Sequence, residues 1–163
     1  MSNNNGNEAF DVGTSSDFPE GCGRPITVGD RPLSIFRHDG ILYALDHHCY
    51  HAGGPLSAGD IEDLTLPKTG EQHPCVVCPW HKYKISLKTG EGIYLHADPF
   101  AAKKHRNPQW KSRGKKQRTH EIYQDDNGRV MVKLNLSEEV KFGSDYYASE
   151  DFQLLMKRKN GGA

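Results

Sequence analysis

The chain has 163 residues, 35 % of them hydrophobic, with 21 Lys and Arg balanced by 21 Asp and Glu and a mean hydropathy of −0.76. That length holds one domain with a modest core, and a formal charge of zero gives bulk electrostatics no reason to favour nucleic acid or a membrane surface. No apolar run approaches the roughly 20 residues that cross a bilayer, and Met1 to Glu8 lack the basic start and apolar stretch of a secretory signal. The expectation is a soluble, cytoplasmic, monomeric protein without nucleic-acid or membrane partners. Its four cysteines are then metal ligands or buried thiols rather than disulfides.

Residues 1–21 are rich in Asn, Gly and Ser and are expected to form a flexible N-terminal segment, followed by Cys22 as a lone thiol between two glycines. The main domain is expected over residues 22–136, with 137–163 as a C-terminal extension. Ile26-Thr27-Val28 reads as a short strand. Leu33–His38 and Ile41–Leu45 are β-rich runs about Asp39-Gly40, a strong two-residue hairpin signal. Turn signals bracket Ile61 to Leu66, and Val76-Val77 is a further short strand. Tyr83–Leu87 and Ile93–Leu95 flank a turn at Lys88-Thr89-Gly90. Between Lys103 and Arg118 there are eight Lys or Arg residues and no acids, interrupted by Pro108 and Gly114. This run is expected to be an exposed basic loop, either simply solvated or a docking surface for an acidic redox partner. His120–Tyr123 and Arg129–Leu134 form a last hairpin about Asp126-Asn127-Gly128, and a short helix is expected near Asp151–Arg158. The class is all-β.

The chemistry lies in two loops, residues 47–56 and 75–83. Cys49-Tyr50-His51 in the first and Cys78-Pro79-Trp80-His81 in the second each hold a cysteine and a histidine close together. Four ligands of this mixed type suit zinc or an iron–sulfur cluster. Structural zinc usually takes its cysteines as one close pair and its histidines as another. Here each loop offers one of each, which a two-iron core accepts naturally.

Cys49-x-His51-x-Gly53-x-Pro55-Leu56 followed by Cys78-Pro79-Trp80-His81 resembles the Rieske [2Fe–2S] proteins. With Thr89-Gly90 after the second loop, the chain over roughly residues 24–135 is similar to the soluble Rieske-type ferredoxins and the small animal Rieske-domain proteins. The resemblance implies one [2Fe–2S] cluster, with Cys49 and Cys78 on one iron and His51 and His81 on the other. It implies a Rieske fold of three small antiparallel sheets, with an inserted cluster-binding subdomain. It also implies a one-electron carrier between a reductase and an oxygenase or other acceptor, with no catalytic site of its own. Two thiolates leave the oxidised centre neutral, and Rieske centres span about −150 to +300 mV, against about −400 mV for all-cysteine plant-type ferredoxins. High-potential respiratory relatives carry a disulfide between the ligand loops and a serine and tyrosine that donate to sulfur. Those positions here hold Gly54 and Trp80, and Tyr83 and Ile85, so a potential near the low end is expected. Two departures stand out: Lys82 where glycine is usual, and a twenty-six-residue interval between His51 and Cys78.

The alternative is a zinc-stabilised interaction module with no redox role. A complete oxygenase is not expected, because residues 136–163 are too few for a domain carrying a two-histidine, one-carboxylate iron. Cys75 is expected to be a buried structural thiol. His47 and His48 are expected to line the first loop, and His73, His96, His105 and His120 to lie on the surface.

Overall fold

The computed structural model describes residues 8–67, 69–100 and 108–161. Eleven strands among them form two antiparallel arrays. The first combines β1 (Ala9–Thr14), β2 (Gly23–Val28), β3 (Arg31–His38), β4 (Ile41–Asp46), β10 (Thr119–Gln124) and β11 (Arg129–Lys133) in the order β1-β11-β10-β4-β3-β2. Its seam is narrow: β10 meets β4 only at Thr119↔Leu45 and His120↔Ala44. The array therefore behaves as two three-stranded sheets joined at an edge. The second array, inserted between β4 and β10, is a meander of β5 (Asp60–Leu66), β6 (Glu71–Val77), β7 (Lys84–Ser86), β8 (Glu91–His96) and β9 (Gln109–Lys115). Three small sheets result, one of them an insertion that carries the second ligand loop.

The β3–β4 hairpin divides the interior. Asp39 and Gly40 take φ of 49° and 76°, the left-handed pair that a tight two-residue turn between twisted strands requires. Side chains alternate across each strand. Leu33, Ile35 and Ala44 enter one core with Val130, Val132 and Phe18. Phe36 and Leu45 enter a second core with Leu56, Val76, Ile85 and Leu87. Cys49 and Cys78 belong to that second core, at 1 % and 2 % exposure.

Several expectations need correction. In place of a mobile lead-in over 1–21, Ala9–Thr14 pairs with β11, and Phe10, Val12 and Phe18 pack on the first core. Those scattered apolar residues suffice to dock a strand onto an open sheet edge. Residues 1–7 lie outside the described residues. The basic run is not a loop where it is described: Gln109–Lys115 pairs with β8, and Arg118 is buried. His105 and the start of that run lie outside the described residues. His73 and His120 are buried rather than on the surface.

The burial of His120 belongs to an ionic network beneath the first ligand loop. Asp46, at 1 % exposure, accepts two bonds from Arg31 at 2.7 Å, one from His120 Nε2 at 2.8 Å and one from Ser144 Oγ at 2.7 Å. Arg118 grips Asp145 at 2.7 and 2.9 Å and donates to the carbonyls of Asn135, Ser137 and Val140. Every charge is paired and hydrogen-bonded, the condition for tolerating burial. The network carries the chain into two helices, α1 (Asp145–Ala148) and α2 (Glu150–Asn160). Ser149 caps α2 by accepting from Phe152 N–H, with Glu150 and Asp151 at its start and Lys157, Arg158 and Lys159 at its end, complementing the helix dipole.

Candidate metal centre

Two tight turns present the four predicted ligands. In the first, Cys49 N–H donates to Gly54 O and Gly53 N–H to Cys49 O, both at 2.8 Å. In the second, Cys78 N–H donates to Tyr83 O at 2.8 Å and Lys82 N–H to Cys78 O at 2.9 Å. Gly53 and Lys82 take φ of 84° and 62°. A left-handed backbone explains why glycine suits position 82, and lysine there costs about 1 kcal/mol. The first turn is held from below by Gln117, which is fully buried. Its Nε2 donates to the carbonyls of Asp46 and His48 at 2.9 and 2.8 Å, and its Oε1 accepts from Tyr50 N–H at 2.9 Å. His48 Nδ1 lies 3.0 Å from Gly53 O, and His47 Nδ1 lies 2.8 Å from Ser34 Oγ.

The cysteines are buried and the histidines exposed. The imidazoles of His51 and His81 meet edge to face, with centroids 4.9 Å apart, and Tyr83 stacks on His51 at 3.8 Å. The Cys49 and Cys78 thiols shift each other's acidity in opposite directions. Cys78 is drawn down to about 6, first by the Cys49 thiol and then by the Trp80 and His81 backbone N–H groups, against burial. Cys49 is pushed up by the Cys78 thiol and by burial, while the His51 and Ala52 N–H groups pull it back. Each sulfur thus faces two backbone donors, an arrangement that favours thiolate and metal ligation. Cys75 faces away from this pair. It is fully buried, with its thiol pushed up to about 12 by burial, as a structural thiol should be.

Gly54 shows how closely the loops approach. A Cβ at this position would lie 2.6 Å from Cys78 Sγ and 3.1 Å from Trp80 Cγ. Gly54→Ala is expected to displace the Cys78 sulfur, destabilise the fold by about 1–3 kcal/mol and lower the iron retained per chain, read by metal analysis and urea unfolding. The ligand atoms do not converge on one point. Among the described residues, no three from Cys49, His51, Cys78 and His81 lie within 4.8 Å of one another. The ligands of a single tetrahedral zinc sit about 3.3–3.8 Å apart. The sulfurs pair with each other and the imidazoles with each other, an arrangement that suits a two-iron group better than one ion.

Gln117, Asp46 and Arg118 carry no motif, so their part in building the site was invisible in the sequence. The spacing of Cys and His exposed only the candidate ligands.

A profile of the family described as soluble Rieske-type ferredoxin matches residues 12–138. A human Rieske domain-containing protein is 44 % identical over 146 residues, spanning 88 % of this chain and 85 % of that protein. The ferredoxin subunit of a 3-phenylpropionate/cinnamic acid dioxygenase from Photorhabdus laumondii is 30 % identical over 89 residues, spanning 54 % of this chain and 75 % of the subunit. The solved ferredoxin of carbazole 1,9a-dioxygenase from Nocardioides aromaticivorans superposes with a TM-score of 0.53 at 17 % identity, covering 78 % of this chain and 98 % of that one. At that identity the superposition speaks for the fold alone.

Proposed function

The chain belongs to the soluble Rieske-type ferredoxins, and from that premise we propose that it is a one-electron carrier holding a [2Fe–2S] cluster through Cys49, Cys78, His51 and His81. The observation that carries this reading is a pair of buried cysteines beside a pair of exposed histidines in edge-to-face contact, no three of whose ligand atoms lie within 4.8 Å of one another. When bound, such a cluster supplies reversible one-electron chemistry.

The residues of this chain set the terms of that chemistry. Burial of Cys49 and Cys78 in the second core keeps water from the sulfur side. His51 and His81 offer exposed ring edges, the shortest route between the site and a partner surface. The backbone N–H groups facing each sulfur favour negative charge and raise the potential. No side-chain hydroxyl joins them from the two positions that serve high-potential relatives: Ile85 is fully buried in the apolar core, and the Tyr83 ring lies on His51. The potential is therefore low in the Rieske range. The purified protein should be red-brown, give a rhombic electron-spin resonance signal on reduction, and titrate below about 0 mV. A colourless, silent protein containing zinc would overturn the assignment.

Partner choice follows from the surface beside His81. A groove of about 410 Å³ is lined there by Lys82, Lys84, Tyr94, Trp110 and Arg113. The Arg113 guanidinium lies 4.4 Å from the Tyr94 ring centroid. This cationic, aromatic rim suits an acidic reductase or oxygenase, by charge complementarity. Reversing the charge with Lys82→Glu and Arg113→Glu should slow electron transfer with an acidic partner about tenfold at low salt and flatten its salt dependence. Stopped-flow rates that keep their wild-type salt dependence would remove this surface from the docking site.

A further inference from the structure

The far end of the chain reaches back to the first ligand loop. Its base is fixed: Ser144 Oγ donates to Asp46 at 2.7 Å and accepts from Arg118 N–H at 3.0 Å, while Arg31 and Arg118 hold Asp145. From there it runs over the loop residue by residue. Gly143 lies against Tyr50, where a Cβ would come within 3.1 Å of the Tyr50 Cβ. The Tyr147 ring covers Gly53 so closely that a Cβ on Gly53 would stand 2.8 Å from it. Phe152 meets His48 edge to face at 5.5 Å and Tyr147 at 5.0 Å. Tyr147 OH donates to the backbone carbonyl of His51 at 3.3 Å, and Gln153 Nε2 donates to the Tyr147 carbonyl at 2.8 Å. Gly143, Ser144, Asp145, Tyr147, Phe152 and Gln153 all lie beyond residue 138, where the family match ends.

We propose that residues 142–153 form an arm that clamps the first ligand loop, with Tyr147 as a positioning residue for His51, so that the arm sets water access to the site and thereby its potential. This rests on the ligand assignment proposed above. Gly53 is left-handed and has no side chain of its own, and among the described residues the atoms nearest to it on this side belong to Tyr147 and Phe152 of the arm. Ring cover lowers the local polarity and strengthens the backbone bonds of the turn. The latch to the His51 carbonyl restrains the main chain that aims this imidazole. With two ferric ions, two sulfides and two thiolates, the oxidised centre is neutral and the reduced one carries −1. Water favours the more highly charged state, so removing the cover raises the potential.

The test compares full-length Tyr147→Ala, Phe152→Ala and Tyr147→Phe with the wild type. Tyr147→Ala and Phe152→Ala should each speed hydrogen exchange at the Cys49 and Gly53 amides about tenfold, leave exchange in β2 and β3 unchanged, and move the reduction potential upward. Tyr147→Phe keeps the cover and loses only the latch, so exchange should stay near wild type with a smaller shift in potential. Alanine variants whose loop exchange and potential both match the wild type would overturn the clamp. If the wild type purifies without iron and sulfide, the ligand assignment fails, and the exchange comparison decides the clamp by itself.

Discussion

Cys78→Ser should yield a protein that retains no iron, whereas His81→Cys should retain it and titrate at a much lower potential. The two outcomes follow from the proposed ligand set. Cys78 is buried at 2 % exposure with two backbone N–H groups facing its sulfur. A serine hydroxyl there stays neutral near pH 7, so the site loses one of its two anionic ligands. His81 sits at the exposed edge, and a cysteine there changes the charge instead of the ligand count. A third thiolate takes the oxidised centre from neutral to −1 and makes electron addition harder. The potential should fall toward the about −400 mV of all-thiolate plant-type ferredoxins. Iron and sulfide analysis checks the first variant and potentiometric titration the second. If Cys78→Ser kept a full complement of iron, the sulfur would not be a ligand.

Asp46→Ala should destabilise the fold by about 3–5 kcal/mol, because it leaves the partly buried Arg31 without its closest carboxylate and takes acceptors from His120 and Ser144. Against a typical domain stability of about 5–15 kcal/mol, that is a large share. The same network predicts how stability depends on pH. Burial pushes the Asp46 carboxyl up, but bonds from His120 and Arg31 overcome this and hold it at about 2. The folded value lies below the unfolded one of about 3.9, so its contribution is complete above that pH and is lost as pH falls toward 2. The amount is about 2 kcal/mol. His120 is lowered by burial against the pull of Asp46. Its Nδ1 accepts Asn135 N–H at 3.0 Å, which leaves Nε2–H to donate to Asp46. A histidine kept neutral in the fold supports it above the unfolded value of about 6.5, and that support declines as pH falls below. Urea unfolding between pH 8 and pH 2 should therefore show stability eroding in two stages. In Asp46→Ala the lower stage should be shallower, since Asp145 and other lowered carboxyls still contribute to it, and an identical acid profile in wild type and variant would exclude Asp46 as a source.

Local rules made much of this protein legible before folding was considered. Asp39-Gly40 between two β-rich runs specified the hairpin that divides the cores, since few residue pairs accept two consecutive left-handed conformations. The Cys and His spacings of the two loops named the candidate ligands, because ligation demands particular atoms at short range. The short helix expected near Asp151–Arg158 is present as α2, extended by one residue at its start and two at its end. What remained hidden depended on partners distant in the chain. Ala9–Thr14 looked like a tail because its strand exists only by pairing with β11, more than a hundred residues away. Arg118 looked like one more solvated cation, and His120 like a surface histidine, until Asp46 and Asp145 were brought to meet them. Sequence alone therefore determined which side chains are the candidate ligands, a matter of side-chain chemistry and local spacing. Only the tertiary structure decided that the two cysteines are buried and the two histidines exposed, and that residues 142–153 pack over the loop holding two of them. Burial and distance are products of long-range packing, and no local pattern encodes them.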